Sequence, residues 1–550
     1  MALAALAALE ATPIADEDAH LFVLVHGLWG SPKHMLVVER ALKNSLAEVS
    51  NERIITLKPS SFRFWKTYDG IERCAERVIA DLLYEIEILK EKDHLKVSKI
   101  SIIGYSLGGL ISRFVVGKLF SMGFFDEVSP VFFCTFATPH VGVHFFRPNL
   151  FDYVANRLGK LLFGYTGLQL FVADNDSLLV RMADPESAFF QGLELFESRL
   201  LLANVKNDRS VAFYTSYITE FSPFDQIDSV NIRYLKDLPP SRIGVTKVWP
   251  KFIDMEKSHR VENPQEFQGN RQEATSIIRS NKILRGTILL SAAVILVPFY
   301  IPLIICLSLY VSGYSALKVK LLRSMRIEEH WKEVRLSVYH EGVIDSEHAE
   351  QGESRRKQRH NLAKHETFKG DTSNFTESAM EGMLFAEDEF VGGQSKIIEE
   401  NEPSDEEDKD SNKVVCMEAH DEEQAELSES DSNQTNKSLF ASFLRKKHII
   451  DILTDKNDRV VREHVESLRN NDLSKIPLFS EDSKLDLLEE QKIIVKNLNK
   501  LDWIKIAVYH DLFNAHDGIV ARRGEKSNPK GTCTIYLWAS ILRNHIRDHI

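Results

Sequence analysis

Ile102-Ile103-Gly104-Tyr105-Ser106-Leu107-Gly108-Gly109-Leu110 places a G-x-S-x-G pattern between two apolar runs of different period. Val97 to Ile103 reads as a buried strand and Leu107 to Phe120 as a helix, so Ser106 falls on the sharp turn joining them. That context makes Ser106 a candidate nucleophile. Gly104 and Gly108 fit the same reading, because a strained serine leaves no room for Cβ atoms where strand and helix close around it.

Working upstream, Leu21 to Val25 predicts a strand that runs directly into His26-Gly27-Leu28-Trp29-Gly30. Ser31 and Pro32 then open a helix whose apolar positions are Met35, Val38, Leu42 and Leu46. A short strand follows at Arg53 to Leu57. A second helix spans about Asp69 to Leu89, with Ile71, Cys74, Val78, Leu82, Ile86 and Leu89 on one face. Downstream of the elbow, Val131 to Phe136 is a strand ending in Ala137-Thr138-Pro139-His140-Val141-Gly142. Alternating strands and helices imply an α/β fold with a mostly parallel central sheet. In such sheets the functional site gathers at the carboxyl ends of the strands, where His26, Ser106 and His140 all lie.

Phe145 to Leu200 turns helical and rich in large apolar residues. It reads either as a cap that binds an acyl chain or as helices packed normally on the sheet. Asn204-Val205-Lys206-Asn207-Asp208-Arg209 follows in the position of a late strand, which makes Asp208 a candidate carboxylate.

A second decisive stretch is Gly286 to Leu317, 32 residues without a charge. One straight helix of that length would reach about 48 Å, well past a hydrocarbon core of about 30 Å. Pro298 and Pro302 divide it into arms of about 18 and 22 Å, long enough to enter one leaflet and too short to cross a bilayer. Arg279, Lys282 and Arg285 precede the stretch, and Lys318, Lys320, Arg323 and Arg326 follow it. Cations on both sides predict a membrane hairpin with both ends in the cytosol.

The net charge of -12 is local in origin. Glu399 to Asp431 holds 15 acidic residues against two lysines, so the remainder is near neutral. No basic stripe with interleaved aromatics is present, and nucleic-acid binding is not expected. Ser346 to about Lys437 should be a disordered acidic insert. The five cysteines are scattered and odd in number, which argues against a disulfide framework. Met1 to Leu9 lacks a basic n-region and makes a poor signal peptide. The catalytic part is therefore expected to face the cytosol.

Order is expected to return near Leu439. A helix at about Leu485 to Leu498 leads into a last strand, Trp503 to Tyr509, and then into Asn514-Ala515-His516-Asp517-Gly518. A serine nucleophile needs an imidazole base and a carboxylate that fixes the imidazole tautomer. Hydrolases of this architecture carry them in the order Ser, Asp/Glu, His, which selects His516, with His510 as a rival nearer the strand end. The backbone N–H groups of Leu107 and Leu28 are the expected oxyanion-hole donors. His26 and His140 are read as shaping their loops. No metal set and no phosphate-binding loop is evident, and neither metal nor cofactor is expected. Because Ser106 precedes the apolar stretch and His516 follows it, both flanks must share one compartment.

Together, His26 to Gly30, Thr67-Tyr68-Asp69-Gly70-Ile71, Gly104 to Gly109, Ala137 to Gly142, Asn204 to Arg209 and His516-Asp517-Gly518 make the chain resemble the serine esterase/lipase family of eukaryotic α/β-hydrolases, and within it the fungal lipid-droplet phospholipases. The likeness covers about Leu21 to Asp228 and Leu485 to Arg523. It implies an α/β-hydrolase whose nucleophile, carboxylate and base are Ser106, Asp208 and His516. It further implies a lipase cleaving fatty acyl esters of glycerophospholipids at a lipid-droplet or ER surface. A monoacylglycerol or neutral-lipid lipase, or a catalytically silent membrane tether, is the alternative. The expected organisation is a core at 1–250 with a cap at about 145–200, a hairpin with basic flanks at 279–326, the insert at 346–437, and a C-terminal part at 439–550 that completes the core. The lipid substrate and a membrane or droplet monolayer, met through residues 286–317, are the expected partners.

Overall fold

The computed structural model describes residues 17–47, 49–146, 150–243, 246–261, 306, 309–315, 327–339, 455–469, 476–510 and 514–549. Six parallel strands form its centre: β1 (Glu17–Val25), β2 (Arg53–Leu57), β3 (Leu95–Tyr105), β4 (Ser129–Phe136), β5 (Ser198–Asn204) and β6 (Trp503–Val508), in the spatial order β6-β5-β4-β3-β1-β2. A sheet of this kind is buried on both faces, and its strands show it. Along β1, Leu21, Val23 and Val25 enter one apolar cluster while Phe22 and Leu24 enter the other.

The helices divide between those two faces. On the first lie α2 (Ile71–Asp93), α3 (Leu107–Ser121) and α6 (Ala188–Glu194), joined by α7 (Ile327–Val334) through Trp331 and Val334 and by α9 (Glu489–Leu498). On the second lie α1 (Leu36–Leu46), α8 (Asp455–Arg469) and α10 (Pro529–Asp548). The apolar faces read for the first two helices are the buried ones: Val38, Leu42 and Leu46 on α1, and Ile71, Cys74, Val78, Leu82, Ile86 and Leu89 on α2. The helix after Ser31 begins with a turn of 3-10 helix at Pro32–Met35. Over the mouth of the sheet sit α4 (Leu150–Leu162) and α5 (Gly164–Leu170). Two small antiparallel pairs, Val230–Asn231 with His259–Arg260 and Ser241–Ile243 with Thr246–Val248, complete the body.

β6 lies more than 290 residues beyond β5 in sequence, yet pairs with it from Trp503–Arg199 to Val508–Asn204. The chain therefore leaves the sheet after its fifth strand and returns for the sixth. The acidic insert, 346–437, and most of the hairpin, 279–326, lie outside the described residues. No helix among the described residues is long and apolar enough to cross a membrane, so the hairpin finds no support there. The described part of its second arm, 309–315, is helical and is fastened to the body. Ser312 Oγ accepts the Gly164 N–H at 2.9 Å, and Ser315 Oγ donates to Asp69 Oδ1 at 2.6 Å.

Candidate active site

β3 delivers Ser106 to the edge of the sheet, and α3 begins at the next residue. The serine sits at φ 56° and ψ -129°, a left-handed conformation that costs a non-glycine residue about 1–3 kcal/mol. Its surroundings hold it there. Ser106 N–H donates to the Phe136 carbonyl at 2.9 Å, a Cβ on Gly108 would collide with the Val25 carbonyl, and one on Gly104 would collide with the Gly109 backbone.

Three loops converge on this turn. His516 Nε2 lies 2.9 Å from Ser106 Oγ, and His516 Nδ1 lies 3.0 Å from Asp208 Oδ2. A carboxylate can only accept, so the tautomer satisfying both contacts carries its proton on Nδ1 and leaves Nε2 to accept from the serine hydroxyl. Burial pushes His516 toward its neutral form, but the adjacent Asp208 carboxylate outweighs that and raises its pKa above the ordinary histidine value. Asp208 is itself fixed: Ser210 and Val211 donate backbone N–H bonds to Oδ1 at 3.1 and 2.8 Å, and Asn204 Nδ2 donates to Oδ2 at 2.9 Å. All three residues singled out from the sequence thus meet in one hydrogen-bonded line.

The other buried histidines differ in kind. His510 bridges Asn204 Oδ1 at 3.0 Å and Thr534 Oγ1 at 2.9 Å, and burial drops its pKa to about 3. It cannot reach the serine from there, and its work is to orient Asn204. His26 stacks on Phe62 with ring centroids 4.1 Å apart, places Nδ1 3.1 Å from the Gly27 carbonyl, and is held neutral by burial with a pKa of about 3. His140 contacts Thr135 Oγ1 at 2.9 Å, and its backbone carbonyl accepts from Arg113 Nη1 at 3.1 Å. Burial lowers its pKa too.

Gly27 packs against the nucleophile so closely that a Cβ there would meet Ser106 Cβ at 2.7 Å. This brings the Gly27-Leu28-Trp29 loop beside the N-terminus of α3, the two segments that carry the Leu28 and Leu107 amides. Trp29, at φ 51°, shapes the loop's far side. Its indole Nε1 donates to Tyr68 Oη at 3.1 Å, and Phe163 tilts against it at 5.9 Å, so an aromatic wall adjoins the site. That wall is pinned by Thr166, whose hydroxyl donates to the Thr67 carbonyl at 2.6 Å while accepting the Gly70 N–H at 2.9 Å.

Sequence reading left a second tier of residues unnamed. Tyr105, the residue before the nucleophile, donates from its hydroxyl to the His516 carbonyl at 3.1 Å and reaches Asp517 Oδ1 at 3.3 Å. Arg522 pairs with Asp517 at 3.1 Å. These groups hold the histidine loop from behind. Asn204 and Asp517 both stood inside quoted motifs, but nothing in their spacing announced a supporting role. For metals, the described residues offer one group, Glu197, His545 and His549, with ligand atoms within 4.8 Å of one another. It lies at the surface where α10 meets the start of β5 and shares no residue with the serine site.

A parallel α/β sheet bearing serine, carboxylate and histidine in this chain order, joined in this way at its carboxyl edge, is the architecture of the serine hydrolases. Residues 15–219, a little over a third of the chain, match the family model described as "Putative serine esterase (DUF676)". A Schizosaccharomyces pombe protein named as a putative lipase is 31% identical over 212 residues, covering 36% of this chain and 26% of that protein. "Putative lipase ROG1" of Saccharomyces cerevisiae is 30% identical over 214 residues, covering 36% and 29%. The chain thus spans less than a third of the length of these curated relatives. A solved lipase-esterase related protein from Clostridium acetobutylicum aligns at 17% identity over 32% of this chain and 60% of its own, with a TM-score of 0.16, too low to bear on the fold.

Proposed function

We propose that this chain is a serine lipase that cleaves fatty acyl esters of glycerophospholipids through an acyl-enzyme, working at a lipid-droplet or ER surface with its catalytic part in the cytosol. The observation that carries the reading is the continuous contact from Ser106 Oγ through His516 to Asp208. In this mechanism His516 Nε2 takes the hydroxyl proton as Ser106 Oγ attacks the ester carbonyl. The Leu28 and Leu107 amides stabilise the resulting oxyanion, each such donor being worth about 3 kcal/mol of barrier. The proton then passes from His516 to the departing lysolipid oxygen, leaving the acyl group on Ser106. Water, deprotonated by the same histidine, releases the fatty acid.

An apolar reaction partner fits the aromatic wall of Trp29, Tyr68 and Phe163 beside the nucleophile. The uncharged run at 286–317, with cations on both sides, supports membrane or droplet association. The test is fatty-acid release from phosphatidylcholine vesicles and from monoacylglycerol by wild type and Ser106→Ala. Release from phospholipid that disappears in the variant is expected. Equal release by both proteins would remove the nucleophile assignment, and cleavage of monoacylglycerol alone would move the substrate to neutral lipids.

A further inference from the structure

Helix α4 is built inside out. Leu150, Tyr153, Val154, Arg157, Leu158 and Leu161 recur at i, i+3, i+4, i+7, i+8 and i+11, one continuous face, and all six are exposed, Leu150 by 79% and Tyr153 by 67%. The face turned to the body carries polar side chains and small ones, Gly159 packing against the Phe171 ring. Asp152 is buried there, and the Asn156 side chain pairs with both backbone groups of Phe145, at 3.0 and 2.8 Å. An ordinary surface helix shows the opposite arrangement.

The helical segment at 309–315 repeats the inversion. Its serines face inward, Ser312 to the Gly164 N–H and Ser315 to Asp69, while Leu309, Tyr310 and Tyr314 are exposed and Gly313 borders open space. The two outward apolar faces meet at one corner, since α4 ends at Leu162, two residues before the glycine that holds Ser312. Between them stands Phe163, which tilts against Trp29 beside the candidate oxyanion loop.

We propose that α4 and the 309–315 segment form one lipid-facing surface, with Ser312 and Ser315 anchoring it to the catalytic body. Two inverted helices side by side specify a neighbour that is not water. Sequence continuity and composition select a phospholipid surface over a second copy of the chain. The exposed segment continues an uncharged run starting at Gly286, the run is bracketed by seven Lys and Arg residues suited to anionic head groups, and its tyrosines are residues of the membrane–water boundary. The asparagine and aspartate of α4 point away from that neighbour and keep their polar partners within the protein. The proposal rests on the lipase reading and adds to it the side from which lipid reaches the site.

The test uses the full chain, vesicles of phosphatidylcholine with phosphatidylserine, and p-nitrophenyl acetate as a soluble ester. Tyr153→Glu with Leu158→Glu should lower both the fraction floating with vesicles and vesicle hydrolysis at least tenfold while leaving p-nitrophenyl acetate turnover intact. Leu158→Trp should bind as wild type, and its added indole emission should be quenched by brominated phosphatidylcholine. If the acidic variant fails to fold, loss of soluble-ester turnover reveals it and the Leu158→Trp variant decides alone. Wild-type flotation of the folded acidic variant, or an added indole emission that brominated lipid leaves unquenched, overturns the proposal. So does a wild-type dimer that the acidic variant separates without changing flotation, which would assign the face to a second copy. A chain that floats as described yet hydrolyses no ester would defeat the lipase reading and leave the surface standing.

Discussion

The floor of the site and its roof obey opposite rules. Beneath Ser106, polar groups are buried and matched: Asn204 links Asp208 to His510, Tyr105 and Arg522 converge on Asp517, and His516 joins the line to the serine. In the roof, apolar side chains on α4 and 309–315 face outward, with Leu150, Tyr153, Leu158 and Tyr310 at least half exposed. Buried polar networks are costly unless complete, and complete ones fix geometry. Unpaired apolar faces are costly in water and gain when they meet lipid. The contrast separates a part that holds the reacting atoms still from the part proposed to meet a lipid phase, and each can be disturbed without the other.

The largest expected effect lies in the floor. Asp208→Asn should leave the fold intact, since the amide can keep much of the local bonding, but it favours the wrong imidazole tautomer and should cut kcat by about 10⁴. The pH profile sharpens this. A base must be neutral, so with a pKa raised by Asp208 the wild-type rate on a soluble ester should fall on the acid side beginning above the ordinary histidine value of about 6.5. In Asp208→Asn the main influence that opposes burial is gone, only Asp517 still raising the pKa while Arg522 lowers it, and the acid limb should move to lower pH. A limb that stays in place would mean another carboxylate sets His516. The variant should still float with vesicles like wild type, because the roof is untouched.

A smaller effect tests the second tier. Tyr105→Phe removes the bond to the His516 carbonyl, and a net loss of about 1 kcal/mol would appear as roughly a fivefold drop in kcat with KM little changed. Unchanged kcat would show that Arg522 and Asp517 suffice to hold the loop.

How much of this could be read from the chain follows from the range of the forces involved. Strand and helix periods are local, so the elements around Ser106 and the buried faces of α1 and α2 were legible, down to Val38, Leu42, Cys74 and Val78. Motif order carried the choice of Asp208 and His516 across the long separation between β5 and β6. The supporting contacts were not legible, because Tyr105 to Asp517 and Asn204 to His510 join residues more than 300 positions apart and leave no periodic trace. The orientation of α4 was also hidden. Its spacing announces an amphipathic helix, but a period cannot tell which face turns to the body. The hairpin rests on composition alone, and what the described residues add is that one arm is pinned by two serines.

The central claim is that Ser106, activated by His516, becomes acylated. Intact-mass and peptide-mass measurement after treatment with a fluorophosphonate ester tests it most directly. Wild type should gain one adduct, located on Ser106, Ser106→Ala should gain none, and His516→Ala should react far more slowly. An adduct of equal extent in Ser106→Ala, or one mapping to another serine, would contradict the account.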